Sequence, residues 1–252
     1  MKKTICIILA ICFTAIIAYS GRRAWLINEN YKQEATIHAA VLKYKPATAL
    51  AQTQGMPPSG TPNPDQPEEI INPSIVELRA AHPGAIGWLT VPNTRIDYPF
   101  AQAQDNKYYL NRDVSGNFAS TGTLFIDARC TDDFTSTHTI IYGHHTKNGS
   151  MFGSLKSFSD KPFFDENQYG YIYLPYANLT LEVFAYLVVN KNDQEIYNPD
   201  LSDVYFDYVK QKARHYRELG LTDTDRIVTL SSCSYEFSNA RMVLLARIKP
   251  AQ

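Results

Sequence analysis

Short apolar runs separated by polar stretches recur along the C-terminal part of the chain. Several of them mix β-branched and aromatic residues and are bounded by Gly, Pro, Asn or Asp, and together they predict eight strands. The runs cover residues 85–91, 94–99, 122–127, 138–142, 169–173, 179–190, 226–232 and 241–249. Because few helices separate them, the pattern favours a mostly β barrel or sandwich decorated by helices over an alternating α/β sheet.

Helical periodicity is confined to a few segments of this region. A short helix is predicted over 74–81, ended by the Pro-Gly pair that follows it. A longer helix is predicted over 203–219, with Ser202 as its cap and Gly220 just past its end. Apolar and aromatic side chains form one stripe along it, namely Tyr205, Tyr208, Val209, Tyr216 and Leu219.

The N-terminus carries an uncharged apolar run, Thr4 to Ser20, between basic residues. A membrane-spanning helix needs about 20 apolar residues, so the run barely suffices, and it also has the layout of a signal peptide. We predict an uncleaved transmembrane helix within residues 1–21, because Ala18-Tyr19-Ser20 is only a fair cleavage site. Basic residues at both ends leave the orientation undecided, and export of the C-terminal part is inferred from the position of the run.

Two further segments separate this anchor from the folded domain. Residues 22–45 mix charges with spaced apolar residues and predict a helical stalk. Residues 46–69 are rich in Pro, Gln, Ser and Gly and predict an extended linker, since they cannot bury enough apolar surface to fold. The folded domain is therefore predicted over 70–252.

The amino-acid composition favours one packed domain and argues against a nucleic-acid-binding or disulfide-stapled protein. The 252 residues are 44% hydrophobic, which is enough for one packed domain, and the formal charge of −1 gives no attraction to nucleic acid. Of the four cysteines, Cys6 and Cys12 lie in the apolar run, which leaves Cys130 and Cys233 for the domain. One disulfide is possible, but the chain lacks the dense cysteine pattern of a disulfide-stapled secreted protein.

Cys233 stands where an apolar strand runs out into polar residues, in the stretch TLSSCSYEF. A cysteine at a strand end is often a small apolar filler, but polar neighbours and a nearby cation favour a nucleophile. Arg241 is that cation, because a short turn between the two segments would place it across a hairpin from the thiol.

A cysteine nucleophile needs a proton carrier, and histidine is the usual one near neutral pH. His144 and His145 follow an apolar strand on a loop, a position typical of catalytic side chains. The other four, His38, His82, His138 and His215, are interpreted as structural or solvated. Tandem histidines on extended chain point to opposite sides and make a poor metal chelate, so no metal site is predicted, and phosphate-loop and dinucleotide motifs are absent from the sequence.

The segments around these residues resemble the sortase family, class B in particular. The family signature Thr-Leu-x-Thr-Cys corresponds here to TLSSC, with Ser232 where Thr is usual, and the arginine follows in NARMVLLARI. GWLTVPNTRIDYPFAQAQDNKYYL, TGTLFID and IIYGHHTKNGSMFGSL are also similar to class B segments, as is the long helix ahead of the cysteine strand. The resemblance extends over nearly the whole folded domain.

This resemblance implies a fold and an activity. Sortases are membrane-anchored cysteine transpeptidases of Gram-positive bacteria on an eight-stranded β-barrel. By this likeness Cys233 attacks a sorting signal after Thr, His144 moves protons, and Arg241 holds the oxyanion and the substrate backbone. The expected partners are a surface protein bearing the signal, an amine of peptidoglycan or lipid II, and the membrane, with the catalytic domain extracellular and no cofactor.

Several points stay open at the level of sequence. His144 fits the family's Gly-His better than His145 does, and Ser232, Tyr142 and Glu236 either line the substrate site or complete the sheet. Class B enzymes usually prefer Asn-Pro-x-Thr signals over Leu-Pro-x-Thr-Gly, but the residues fix neither the signal nor the acceptor. The alternatives are an exported cysteine protease or amidase, in which water resolves the acyl enzyme, and an anchored binding module without activity.

Overall fold

A computed structural model describes residues 2–47 and 72–249 of the chain. The predicted Pro-rich linker, 46–69, falls outside the described residues except at its start. The chain divides into two units, Met1–Ala40 and Val41–Gln252.

The N-terminal unit is helical. A single helix, α1 (Lys2–Val41), covers the predicted anchor and most of the predicted stalk, and a short 3-10 turn, Leu42–Tyr44, follows it. The predicted transmembrane helix is not found, because within the described residues no helix combines the length and the apolar character that crossing a bilayer requires.

Within the part that the structure describes, the second unit is built on nine strands and a few short helices. The strands are β1 (Ala85–Thr90), β2 (Asp97–Ala101), β3 (Leu124–Ile126), β4 (His138–Tyr142), β5 (Tyr169–Tyr173), β6 (Asn178–Asn190), β7 (His215–Tyr216), β8 (Ile227–Cys233) and β9 (Ala240–Ile248). The helices are α2 (Pro73–Ala81), α3 (Lys161–Glu166) and α4 (Tyr205–Lys212), and 3-10 turns form at Tyr108–Asn111 and Gly153–Ser159.

Eight of these strands close into a barrel. Their order is β5-β1-β2-β3-β4-β8-β9-β6, and pairing of β5 with β6 completes the circle, while β7 pairs with β6 outside it. The β2–β3 and β4–β8 pairs are parallel and the other pairs are antiparallel. The predicted eight-stranded barrel decorated by helices is therefore confirmed.

The main core fills the barrel, because each strand turns alternate side chains inward. On β8, Val228 and Leu230 belong to this core, as do their register partners Ala246 and Leu244 on β9. Fully buried aromatic rings, among them Phe100 and Phe152, fill the remaining space. Burial of each such ring contributes about 2 kcal/mol relative to exposure.

A second core covers the outer face of the same strands. Ile227 on β8 and Val243 and Leu245 on β9 alternate with the interior residues and pack with Tyr205 and Val209 of α4. The outer face is thus partly covered by α4 and the β6–α4 loop. The uncovered part of this face remains accessible and can form a binding site.

The predicted strands are found within a few residues of their expected positions, and β4 and β5 have the predicted bounds. The second strand, predicted over 94–99, begins only at Asp97. A tight turn delays it, in which Asn93 has a φ of 59° and the Thr94 hydroxyl donates to the Val91 carbonyl at 2.7 Å. The two-residue strand β7 was not predicted.

The long helix predicted over 203–219 is wrong in length, since α4 ends at Lys212. Ala213 leaves the helical region, and His215 and Tyr216 then pair with the edge of β6. Pairing with a strand edge here outweighs helical periodicity. Ser202 is also not the cap, because Val204 holds that position and the Ser202 hydroxyl donates to Glu195 instead.

Candidate active site

A cleft of about 1020 Å³ lies beside the C-terminal ends of β4 and β8. Residues within 106–110, 125–129, 142–144, 191–198 and 231–233 line it together with Arg241. The strands supply its floor and the loop between β6 and α4 supplies one wall. At this size the cleft can hold an extended peptide of several residues.

Cys233 is the last residue of β8 and is partly exposed. Side chains alternate along the strand, so Cys233 shares a face with Ser231, whereas Leu230 belongs to the barrel interior. The register partner of Ser231 is Val243, which packs in the outer core. The thiol therefore lies on the outer face, in the lining of the cleft, and does not occupy the position of a core filler.

The parallel pairing of β4 with β8 brings the histidine loop beside this cysteine. Tyr142 is the register partner of Ser231, and the Gly143 N–H donates to the Ser231 carbonyl at 3.1 Å. His144 and Cys233 each lie two residues beyond this matched pair. Neighbouring strands are about 4.8 Å apart, so both residues leave the sheet at the same edge and both line the cleft.

Arg241 is brought to the opposite side of Cys233 by the β8–β9 hairpin. The two residues are direct register partners, as the spacing of the two segments predicts. The Ser234 N–H donates to the Ala240 carbonyl at 2.9 Å, and the turn is completed by Asn239 at a φ of 62°. One guanidinium nitrogen of Arg241 donates to the Ala240 carbonyl at 3.0 Å.

His144 and His145 lie in different surroundings. His144 lines the cleft, and its Nε2 is 2.6 Å from the Leu110 carbonyl oxygen. His145 is not among the residues that line the cleft, and its ring packs edge-on against Tyr235 with the centroids 5.0 Å apart. Burial lowers the pKa of His145 although a hydrogen bond with the Cys233 backbone opposes the shift. The structure thus brings His144, rather than His145, into the cleft.

Of the three residues predicted as candidates for lining the substrate site, two contribute to the cleft. Tyr142 lines it and donates its hydroxyl proton to Asp127 at 2.9 Å. Ser232 also lines it but is only 2% exposed, and alternation places its side chain on the interior face, where its hydroxyl is buried without a hydrogen-bond partner.

Glu236 is not brought to the cleft. It lies in the β8–β9 turn, and its carboxylate pairs with Arg214 at 2.7 Å on the exposed surface. The charge on Glu236 is therefore already matched by a neighbour outside the site.

Among the cleft residues without a predicted role are Asp127, Arg129, Tyr197 and Ser231. The alternation within TLSSC could have indicated Ser231, since it shares a face with Cys233. Tyr197 comes from a loop without periodicity, and Asp127 and Arg129 follow a strand of only three residues, so no local pattern marks them.

Cys130, His138 and His215 do not line the cleft. Cys12, Cys130 and Cys233 are free thiols, and the Cys130 thiol is buried 3.6 Å from the His138 carbonyl oxygen. His138 is itself buried, and His215 bonds the Ser159 carbonyl at 2.8 Å. Within residues 2–47 and 72–249 no cluster of His, Cys, Asp and Glu could hold a metal ion.

Comparison with known proteins assigns this arrangement to a family. Residues 89–249 match the family model described as the sortase domain. The chain belongs to the sortase family. A sortase B from Listeria monocytogenes is 33% identical to it over 184 residues, which cover 71% of this chain and 75% of the relative. Since sortases are cysteine transpeptidases, the chain is an enzyme of this type.

Solved structures of class B sortases agree with this assignment. A sortase B from the Type II pilus of Streptococcus pneumoniae is 38% identical, with a TM-score of 0.60 over 69% of this chain and 97% of that one. A sortase B from Bacillus anthracis is 27% identical, with a TM-score of 0.71 over 87% of this chain and 98% of that one. The chain is thus a class B sortase in fold and family.

Proposed function

We propose that the chain cleaves the C-terminal sorting signal of a surface protein after Thr and joins that protein to an amine of the cell wall. The observation that carries the proposal is that Cys233 on β8, Arg241 on β9 and His144 just past the end of the adjacent β4 line one cleft. A nucleophile, a proton carrier and a fixed cation, held on or directly beside rigid strands, are the groups that acyl transfer requires.

In the first half of the reaction the Cys233 sulfur attacks the Thr carbonyl carbon. A carbon–sulfur bond forms, the amide carbon–nitrogen bond breaks, and the proton that the Cys233 thiol gives up passes through His144 to the departing amine. The C-terminal fragment leaves, and the rest of the substrate stays on Cys233 as a thioester. Because the thioester keeps the acyl group activated, the second bond can form without ATP.

The hydrogen bond between His144 and Leu110 indicates which of the two ring nitrogens of His144 carries a hydrogen. A carbonyl oxygen only accepts, so Nε2 carries a hydrogen and donates it to Leu110. Nδ1 is then the nitrogen left to deliver a proton to the departing amine and to remove one from the incoming amine. Leu110 thereby keeps the ring in one orientation through both halves of the reaction.

Arg241 is proposed to bind the oxyanion that develops as sulfur attacks. Its position directly across the ladder from Cys233 supports this role. Only part of its donor capacity is used by the bond to the Ala240 carbonyl, since a guanidinium has five N–H groups. The remaining N–H groups can bind the oxyanion and a substrate carbonyl.

The substrate and the location follow from the family as proposals. A signal of the Asn-Pro-x-Thr type is the first candidate, a Leu-Pro-x-Thr-Gly signal is the second, and the acceptor is an amine of peptidoglycan or lipid II. Such substrates place the catalytic domain outside the cell, at the membrane. Protease treatment of intact cells that leaves the domain uncleaved would contradict this location.

The decisive experiment uses the full chain, fluorogenic peptides of both signal types, and wall amines such as a glycine oligomer or a stem peptide. We expect cleavage after Thr, an acyl adduct on Cys233 detected by mass spectrometry, and a transfer product when the amine is present. The Cys233→Ala variant should show no cleavage above background. Cleavage at the wild-type rate in this variant would show that Cys233 is not the nucleophile. Hydrolysis that the amine never diverts would support a protease or amidase instead.

A further inference from the structure

An ion pair with a buried carboxylate, Asp127 with Arg129, lines the cleft apart from the three proposed catalytic residues. The Asp127 side chain is completely buried, whereas that of Arg129 is 55% exposed. The guanidinium contacts both carboxylate oxygens, with Nε donating to Oδ1 at 2.9 Å and a terminal nitrogen donating to Oδ2 at 2.8 Å. The Arg129 backbone N–H adds a bond to Oδ1 at 2.9 Å, so this buried charge is fully bonded.

The pair fixes the ring of Tyr142. The Tyr142 hydroxyl donates to Asp127 Oδ2 at 2.9 Å. Burial raises the pKa of Tyr142 and the neighbouring Asp127 charge raises it further, so the phenol stays protonated and remains a donor. Burial also raises the pKa of Asp127, but the bonds from Arg129 and Tyr142 outweigh burial and hold its pKa below the usual value.

The pair also fixes the loop between β6 and α4. Arg129 donates to the Tyr197 backbone carbonyl at 2.9 Å, and the Tyr197 hydroxyl lies 2.9 Å from Ser231 Oγ. The Tyr197 ring stacks on Tyr142 with the centroids 6.2 Å apart and the planes 29° apart. The two rings therefore form a continuous wall of the cleft, and one ion pair holds both.

We propose that Asp127 and Arg129 are a positioning pair that shapes the cleft wall for the sorting signal before the peptide binds. The inference rests on the proposed function. The hydrogen bonds of the pair go to Tyr142 and Tyr197, whereas His144 and Cys233 are placed by the backbone ladder of β4 and β8. Loss of the pair should therefore weaken peptide binding and leave the reactivity of the thiol unchanged.

The most informative variant is Asp127→Asn. It keeps the shape of the side chain and removes the charge, and Arg129 can then turn towards solvent because it is largely exposed. Replacing Arg129 instead would leave a completely buried carboxylate without its cation, which is far more disruptive. Arg129→Gln is therefore used only together with Asp127→Asn, to test whether the two residues act as one unit.

The experiment measures kcat and KM on the cleaved sorting-signal peptide, the rate of Cys233 alkylation by iodoacetamide, and the midpoint of thermal unfolding. We expect Asp127→Asn to raise KM about tenfold or more, with kcat and the alkylation rate within about twofold of the wild type. Arg129→Gln added to Asp127→Asn should raise KM little further, because the pair is already broken.

Glu182→Gln is the matched control. Glu182 pairs with Arg247 at 2.7 Å between β6 and β9, is also mostly buried, and does not line the cleft. If this control lowers the unfolding midpoint without raising KM, the effect of Asp127→Asn is specific to the cleft. An unchanged KM in Asp127→Asn, or a KM raised equally in both variants, would overturn the inference alone. A wild-type chain that cleaves no sorting-signal peptide would overturn the proposed function and the inference with it.

Discussion

Adjacent histidines show how much depends on the direction of one side chain. His144 lies in the cleft and bonds Leu110, while His145 packs on Tyr235 and contacts the backbone of Cys233. Successive residues on extended chain point to opposite sides, so only one of the two can face the substrate. The sequence favours His144 by its position after Gly143, and the structure adds a physical reason for the same assignment.

Replacement of each histidine by alanine should separate these two positions. We expect His144→Ala to lower the rate of peptide cleavage by about 10³-fold or more, because the departing amine loses its proton donor. His145→Ala should lower it less than about tenfold, because that side chain lies outside the cleft. Steady-state kinetics on the same peptide measure both rates. A larger loss of rate in His145→Ala than in His144→Ala would identify His145 as the proton carrier instead.

At the scale of elements, the junction between β4 and its loop determines where His144 lies. Gly143 occupies this junction, and a Cβ on it would lie 2.5 Å from Leu124 Cδ2 and 2.6 Å from Phe152 Cδ2. Phe152 is fully buried and cannot move aside easily. Glycine is therefore required for close packing against the barrel core, which explains the Gly-His sequence in local terms.

A Gly143→Ala variant should displace the backbone that carries His144. We expect at least a tenfold lower cleavage rate and a lower unfolding midpoint, since the added methyl group overpacks a closed core by about 1 to 3 kcal/mol. Gly170→Ala on β5 is the matched control, because its Cβ would have its closest contact at an ordinary 3.5 Å, with the Thr90 carbonyl oxygen. An active, stable Gly143→Ala variant would contradict this account of the junction.

Elements also differ in how well local sequence predicts them. Strands β4 and β5 follow from their β-branched and aromatic residues and from the turn residues that bound them. Residues 213–219 follow the helical stripe and yet leave the helix, because His215 and Tyr216 find the edge of β6. The extended conformation of these two residues is determined by pairing with a strand that is distant in sequence, and local periodicity cannot predict such pairing.

At the scale of the whole molecule, buried His138 joins the barrel to the wall of the cleft. Its Nδ1 lies 2.6 Å from the Asn198 carbonyl oxygen and its Nε2 lies 2.7 Å from the Thr229 hydroxyl oxygen. The carbonyl can only accept, so Nδ1 carries the hydrogen and Nε2 accepts from Thr229. Burial lowers the pKa of His138 to about 4, from an ordinary value of 6.5, so the folded protein holds it neutral.

Stability should therefore fall on mild acidification. Between pH 6.5 and about 4 the unfolded chain binds a proton at His138 that the folded chain excludes, which favours unfolding as the pH falls. The loss of unfolding free energy that His138 causes approaches about 3 kcal/mol near pH 4 and is absent well above pH 6.5. Urea unfolding at several pH values measures it.

The His138→Gln variant provides the control for this prediction. A glutamine can donate to Asn198 and accept from Thr229 without titrating, so the decline between pH 6.5 and 4 should be shallower in the variant even if its stability at neutral pH is lower. An equally steep decline in both proteins would show that other groups cause the acid sensitivity.

Sequence by itself indicated the eight barrel strands, the three candidate catalytic residues and the family, because β-branched and aromatic runs, turn residues and the signature around Cys233 are local properties of the chain. Tertiary structure decided that β4 pairs in parallel with β8, that Ser232 faces inward while Ser231 faces the cleft, and that Glu236 pairs with Arg214. It also placed Asp127, Arg129 and Tyr197 together in that cleft. These outcomes depend on register and on contacts between distant segments, which no single stretch of residues encodes.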